Sequence, residues 1–262
     1  MQNKRIQGQI SKALGFKALE TIDEIVPVYK IQILEEILGK YPQHKAKIKE
    51  FFYSDSQLAQ DVFVLSALDF KTKGFFVEFG ATDGKGLSNS YLLEQMGWDG
   101  ILAEPAKCWH EALVKNRKAA IDYGCVWSTS NAKILFTEAR LLPEVSTISS
   151  YTDCDGHIHN RKNGFEYYVN TISLNDLLLK YNAPKIIDYL SIDTEGSEFD
   201  ILNNFCFEHY KIKIISCEHN YTKQRNKIET LLCSKGYKKV LQDKTEWDDW
   251  YIAGEFYDIK ER

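Results

Sequence analysis

Four polar groups in this chain stand where apolar runs end. Glu78 lies inside GFFVEFGATDG, and Glu104 closes GILAEP. Asp193, Glu195 and Glu198 follow LSI, and Cys217-Glu218-His219-Asn220 follows KIKIIS. Short apolar runs of this kind suit strands buried on both faces, and the crevice of an open α/β sheet lies outside the carboxyl ends of its strands. Carboxylates collected there repel one another and raise each other's pKa, so they point to a cation, a base or helix capping. Glu198 suits capping, because an acid in a first turn complements the helix dipole. Asp193 suits a general base, and His219 is a second candidate base, with an ordinary pKa near working pH. Asp193 with Glu218, His219 or Asn220 could also hold one hard cation such as Mg²⁺ through oxygen ligands.

The loop after Glu78 narrows the choice of ligand. Gly80, Ala81 and Gly84 lack bulk where the chain must turn and let a ligand approach. Gly80 to Gly86 is one residue short of a P-loop and has glycine where the Mg²⁺-binding hydroxyl belongs. The spacing of Gly80, Gly84 and Gly86 does not match a dinucleotide fingerprint, and Glu78 and Asp83 would repel a pyrophosphate. An acidic loop suits a ligand with a cationic part and no phosphate, and S-adenosylmethionine, with its sulfonium and amino groups, fits. Glu104 is then the acid that accepts both ribose hydroxyls.

The elements that would position these groups can be traced along the chain. Ile10–Ile25, Tyr29–Leu38, Lys45–Tyr53 and Ser54–Phe70 read as helices, with Pro27 as a breaker. From Gly74, strands alternate with helices, which implies a parallel sheet. Strands are expected at Phe75–Phe79, Gly100–Ala103, Tyr123–Trp127, Ile187–Ile192 and Ile212–Cys217, with Tyr237–Leu241 and Trp250–Ala253 closing the sheet. Helices are expected at Ser88–Met96, Lys107–Asn116, Leu174–Tyr181, Glu198–Phe205 and Gln224–Lys235. Residues 129–170 carry a polar SYTDCDGHIHNRKNG stretch and read as a hairpin or lid. His157, His159, Arg161, Tyr167 and Tyr168 are candidates there for an acceptor pocket. The division is residues 1–70 as an N-terminal helical cap and 71–262 as the sheet domain.

Composition limits the classes. The 262 residues, 44% hydrophobic and 27% charged, suit a soluble globular chain, and a net charge of −4 gives no broad attraction to nucleic acid. The six cysteines form no C-x-x-C pair and no finger spacing, which favours a reducing compartment. The start lacks a signal-peptide apolar region, and no stretch reaches the roughly 18 apolar residues of a membrane span. The expected location is cytoplasmic.

Six blocks in order carry a resemblance: SQLAQD (Ser56–Asp61), FFVEFGATDG (Phe75–Gly84), LSNSYLLE (Leu87–Glu94), GWDGILAEP (Gly97–Pro105), YGCVWS (Tyr123–Ser128) and SIDTEGSEFDIL (Ser191–Leu202). Together they resemble the FkbM family of S-adenosylmethionine-dependent methyltransferases. The resemblance implies a Rossmann-like α/β class I methyltransferase fold, a seven-stranded, mostly parallel sheet with an antiparallel last hairpin and helices on both faces. It also implies methyl transfer to a hydroxyl, with sugars or natural products as acceptors and surface-glycan synthesis as a common setting. By position it places Glu78, Gly80, Ala81, Asp83 and Gly84 in the cofactor loop, Ser88 and Asn89 beside the cofactor, and Glu104 on the ribose. Gln57, Gln60 and Asp61 would contribute from the preceding helix, and Asp193 and Glu195 belong to the D-x-E-G block. The expected partner is a small-molecule or saccharide acceptor, and the N-terminal helices offer a place for a second copy to associate.

Two rival classes read the same residues differently. A nucleotide-dependent oxidoreductase is disfavoured by the missing pyrophosphate fingerprint. A non-catalytic binding module, a degenerate methyltransferase domain, is disfavoured by the intact Glu78, Glu104 and Asp193.

Overall fold

The computed structural model describes residues 26–257, so the helix expected over Ile10–Ile25 lies outside the described residues. The described chain begins with α1 (Val28–Lys40), α2 (Lys45–Glu50) and α3 (Gln60–Ala67). The helix expected from Ser54 starts only at Gln60. Ser54 and Ser56 turn their hydroxyls onto Asp61, and Ala59 takes a φ of 62°, so local side-chain bonds replace the first turn.

Alternation then follows the sequence reading. The order is β1 (Phe75–Phe79), α4 (Tyr91–Gln95), β2 (Asp99–Ala103), α5 (His110–Asn116) and β3 (Ala120–Asp122). After an intervening segment come α7 (Leu174–Lys180), β8 (Ile186–Ile192), α8 (Glu198–Asn203), β9 (Lys211–Glu218), α9 (Gln224–Ser234), β10 (Tyr237–Val240) and β11 (Asp248–Ala253). The seven-stranded sheet runs β10-β11-β9-β8-β1-β2-β3. β1 is parallel to β2 and β8, β8 is parallel to β9, and β11 is antiparallel to both β9 and β10. This is the sheet with an antiparallel closing strand that the resemblance implies.

Side-chain alternation divides the sheet between two cores. Phe76, Leu102, Tyr189, Ile214, Trp250 and Ile252 face one side, in one apolar cluster with Ile31, Leu34, Ile37, Val62 and Phe63 of α1 and α3. Val77, Phe79, Ile101, Leu190, Ile215 and Tyr251 face the other, packed by Leu177, Ile201, Ile228 and Leu232 of α7, α8 and α9.

One expected strand changes sheets. The strand read at Tyr123–Trp127 is β4 (Cys125–Trp127), and the edge of the large sheet is instead β3. The Asp122 carboxylate accepts the Gly124 N–H and turns the chain between them. The segment read as a hairpin or lid holds β5 (Lys133–Glu138), β6 (Thr147–Ile148), a one-turn helix α6 (Ile158–Arg161) and β7 (Phe165–Ser173). These strands join β4 in a second sheet of order β4-β7-β5-β6, with Phe136, Ile148 and Val169 in its small core. Among the described residues no helix is long and apolar enough to cross a membrane.

Candidate active site

On the face covered by α1 and α3, the large sheet ends in ordered rows. Phe76, Tyr189, Ile214 and Ile252 align in register; Glu78, Ser191, Ser216 and Trp250 form the next row; Glu218 and Asp248 are paired in the last. Asp193, two residues beyond Ser191, extends that last row. β11 runs antiparallel, so its first residue reaches the end where the parallel strands finish. The rows thus change from apolar, through a mixed row with the hydroxyls of Ser191 and Ser216, to carboxyl as the strands leave the core. Asn89 Nδ2 donates to Ser191 Oγ at 2.9 Å, and Tyr189 and Ser216 exchange a 2.6 Å bond beneath the acids.

Gly80 lets the first strand cross this row. Its φ is 71°, and a Cβ there would lie 2.0 Å from the Asp193 carbonyl oxygen. No other residue fits that contact. Glu78 is fully engaged within the protein: it accepts from the hydroxyls of Ser88 and Ser90 and from the Asn89 N–H at 2.7 Å, with Arg117 3.6 Å away. These bonds hold residues 88–90 out of the helix expected from Ser88, which starts at Tyr91.

Asp193, Glu195 and Glu218 bring carboxylate oxygens within 4.8 Å of one another. Burial pushes the Asp193 carboxyl up to about 7, and neighbouring Glu198, Glu78 and Glu104 add to it against a hydrogen bond with Glu218. Burial, then the charge of Asp193, holds Glu195 and Glu218 well above the usual carboxylate range. Burial likewise lifts Asp248 to about 7. Glu195 has its own counter-charge in Arg161, whose side chain is wholly buried and whose Nη2 donates to Glu195 at 2.8 Å. The same guanidinium grips Asp155 through two bonds of 2.8 and 3.0 Å and the Val145 carbonyl at 2.6 Å. One arginine thereby ties the segment between β6 and β7 to the acids at the end of β8.

A cavity of about 540 Å³ opens over this row. Glu78, Gly80, Ser88, Asn89, Asp193, Glu195, Glu218 and Asp248 form its floor, Gln57 and Gln60 come from the N-terminal side, and Glu144, Val145 and His157 from the inserted segment. A second, narrower space of about 30 Å³ lies between Gly80, Glu104, Phe136, Glu144 and Ile148. Glu104 is buried and accepts the N–H groups of Thr82 at 2.8 Å and Ala106 at 2.7 Å; burial raises its pKa to about 7. The two spaces share Phe79, Gly80, Glu144 and Asp193, so they are adjoining parts of one crevice.

Residues 78–239, more than half of the chain, match the family described as the methyltransferase FkbM domain. The chain belongs to this family and is a methyltransferase. Among solved structures, it is similar to a ribosomal protein L11 methylase from Lactobacillus delbrueckii subsp. bulgaricus, with 12% identity over 74% of this chain and 77% of that one and a TM-score of 0.36. It is also similar to a chain of a fibrillarin/Nop5p complex, with 13% identity over 72% and 79% and a TM-score of 0.34. No curated protein matches it.

Several residues chosen from the sequence stand elsewhere in this FkbM methyltransferase. His219 is buried facing away from the cavity: its Nδ1 accepts the Tyr221 N–H at 3.0 Å, and its Nε2 lies 3.6 Å from Asp249. Strand alternation sends Glu218 into the crevice and its neighbour to the opposite face, so His219 does not reach an acceptor there. Asp61 is fully buried and braces Ser54, Ser56 and the Val62 N–H. Asp83 caps its own loop through the N–H groups of Lys85 and Gly86, while Ala81 and Gly84 pack behind it, Gly84 against Arg117. Asn220 lines the cavity but turns its Nδ2 onto Glu195 at 3.1 Å, so the third carboxylate beside Asp193 and Glu218 is Glu195. Of the five candidates in the inserted segment, only His157 lines the cavity. Arg161 is internal, and Tyr168 is 70% exposed on the surface.

Asp248, Glu144, Tyr221 and Trp247 line the cavity without having been singled out in the sequence. The sequence carries one signal for Asp248: an acid at the start of a closing antiparallel strand must lie at the crevice. Gln60 Nε2 donates to it at 2.8 Å, which gives α3 a direct link to the site.

Proposed function

We propose that the chain is an S-adenosylmethionine-dependent O-methyltransferase acting on a hydroxyl of a sugar, glycan or related small molecule. The observation that carries this reading is the carboxyl row of Asp193, Glu218 and Asp248 facing the Gly80 turn across one cavity. The cavity's lining fits the donor: it offers oxygen acceptors to a sulfonium and an ammonium, and Glu104 stands in the adjoining space for ribose hydroxyls. The adenosine half has room for about 30 Å³, so side chains that border it, Pro143, Glu144 and Ser146 among them, would have to shift when the donor enters.

Bound there, the donor supplies a methyl group that is already electrophilic, so the protein's task is to align the acceptor oxygen. Asp193 takes the proton from that hydroxyl as its oxygen forms the new bond and the methyl–sulfur bond breaks. Its pKa of about 7 matches a base that works near neutral pH. Glu218, hydrogen-bonded to Asp193, orients it and shares the proton.

A hard dication fits the donor set by number and chemistry, with Asp193, Glu195 and Glu218 as ligands, and Mg²⁺ there would lower the pKa of the acceptor hydroxyl. Calorimetric titration with S-adenosylmethionine and S-adenosylhomocysteine, with and without Mg²⁺, tests the whole reading. Micromolar binding that Glu104→Ala abolishes supports it; absence of binding in both conditions refutes it.

A further inference from the structure

Ionisable groups are unevenly distributed around the cavity. Its lining contains six acids, Glu78, Glu144, Asp193, Glu195, Glu218 and Asp248, and among the described residues no lysine or arginine. The two buried guanidinium groups nearby are already engaged: Arg117 faces Glu78 and Glu94, and Arg161 faces Asp155 and Glu195. An anion placed in this cavity would find His157 as its one ionisable cation on the wall.

Independent features point the same way. Asn89, 9% exposed, lines the cavity, and its buried Oδ1 has no hydrogen-bond partner within the protein. Asn220 and Tyr221 both hold positive φ, 42° and 55°, a conformation that side-chain-bearing residues rarely adopt. That turn brings Tyr221 to the cavity with Trp247, whose ring is braced edge-on by Tyr29 at 5.3 Å and whose Nε1 donates to Gln57. Two aromatic side chains lining the cavity together with a buried carboxyl, Asp248, supply the chemistry that recognises an ammonium group.

We propose that the acceptor half of this cavity, Gln57, Tyr221, Trp247 and Asp248, selects by charge, taking a hydroxyl compound that bears an amino group and refusing phosphorylated or carboxylated ones. This rests on the methyltransferase reading and adds the acceptor class to it.

The test uses the full chain, first titrated with S-adenosylhomocysteine and then, saturated with it, with glucosamine, glucose and glucose 6-phosphate by ligand-observed NMR at neutral pH. The expected order is glucosamine tighter than glucose by about tenfold, with glucose 6-phosphate weaker than both. Asp248→Asn brings the glucosamine-to-glucose affinity ratio from about ten to about one. Trp247→Leu, which leaves the acid row intact, reduces the same advantage and serves if the first variant fails to fold. Equal affinity for glucosamine and glucose, no measurable binding of glucosamine, or phosphate binding as tight as the amine overturns the proposal. So does phosphate binding that requires Mg²⁺, because a metal would then be the cation the acids await. Failure of S-adenosylhomocysteine to bind strikes the donor reading instead, and is read in the first titration.

Discussion

Glu104→Gln separates two consequences of one buried carboxyl. Glu104 is 4% exposed, accepts two backbone N–H groups and titrates at about 7 instead of 4.5, chiefly because burial penalises its charge. The folded state therefore keeps the proton longer than the unfolded chain does. The stability this gives is fully present below the unfolded pKa and is lost as pH rises through about 7. From those two values, Glu104 alone removes about 2 kcal/mol between about pH 5.5 and about pH 8.5. Donor affinity should move the other way, since ribose hydroxyls donate to a carboxylate. At about pH 5.5 only about one molecule in thirty carries the ionised form, so affinity should be about 30-fold weaker than at high pH. Glutamine turns an NH₂ toward one of the two N–H groups, a constant cost of about 1–3 kcal/mol that leaves the slope untouched. Denaturant unfolding and calorimetry over this range, wild type against Glu104→Gln, read both quantities. Asp193 and Asp248 also titrate near 7, so the wild type loses more stability than Glu104 accounts for, and the difference between the proteins isolates Glu104. Parallel stability curves and unchanged pH dependence of donor affinity would refute both the ionisation and the ribose contact.

Three other substitutions test separate links. Asp193→Asn should lower turnover at least about 100-fold while donor affinity stays within a few-fold, and wild-type turnover in a methyl-transfer assay removes Asp193 as the base. Gly80→Ala places a Cβ 2.0 Å from the Asp193 carbonyl in a φ of 71°, so the protein should fail to fold or lose several kcal/mol by chemical denaturation. Arg161→Gln leaves Asp155 and Glu195 without their shared cation and should cost about 3–5 kcal/mol. A loss in denaturant unfolding below about 1 kcal/mol would show that water or rearrangement replaces the guanidinium.

The parts of this molecule legible in its sequence are those governed by one local rule. Phe75–Phe79, Ile187–Ile192 and Ile212–Cys217 are short apolar runs ending in acids, and each appears as a strand of the large sheet with its acid at the crevice. The closing hairpin was legible from Gly236 ending the preceding helix and from the aromatic and apolar residues of Tyr237–Val240 and Trp250–Ala253. Where a local rule competes with a distant partner, the reading slipped. Ser88–Ser90 look like a helix start, but Glu78 claims their hydroxyls and an N–H, and the helix waits until Tyr91. Tyr123–Trp127 has the composition of an inner strand, yet the turn held by Asp122 sends it into a second sheet whose longer strands, β5 and β7, are only half-buried and carry weak patterns.

The site divides along the same line. Glu218 and His219 are adjacent in sequence and equally polar, and only strand parity sends one to the cavity and the other to Asp249. Asp248 and Asp249 repeat that division in the antiparallel partner: Asp248 joins the acid row, and Asp249 binds Arg225 and Lys239 on the far face. Burial lifts Asp248 to about 7, whereas hydrogen bonds from His219, Arg225 and Lys239 outweigh burial and hold Asp249 well below the usual range. Each face therefore sets its own charge balance. The face of His219 and Asp249 brings cations to its carboxylate and is neutralised from within. The face of Asp193, Glu218 and Asp248 has Arg161 on Glu195 and Arg117 beside Glu78 as counter-charges among the described side chains, and leaves Asp193, Glu218 and Asp248 lining the cavity with no arginine or lysine of their own. The acids that the fold does not pair are the ones a positively charged ligand could, and the proposed donor and amino-bearing acceptor would both meet them on this side of the sheet.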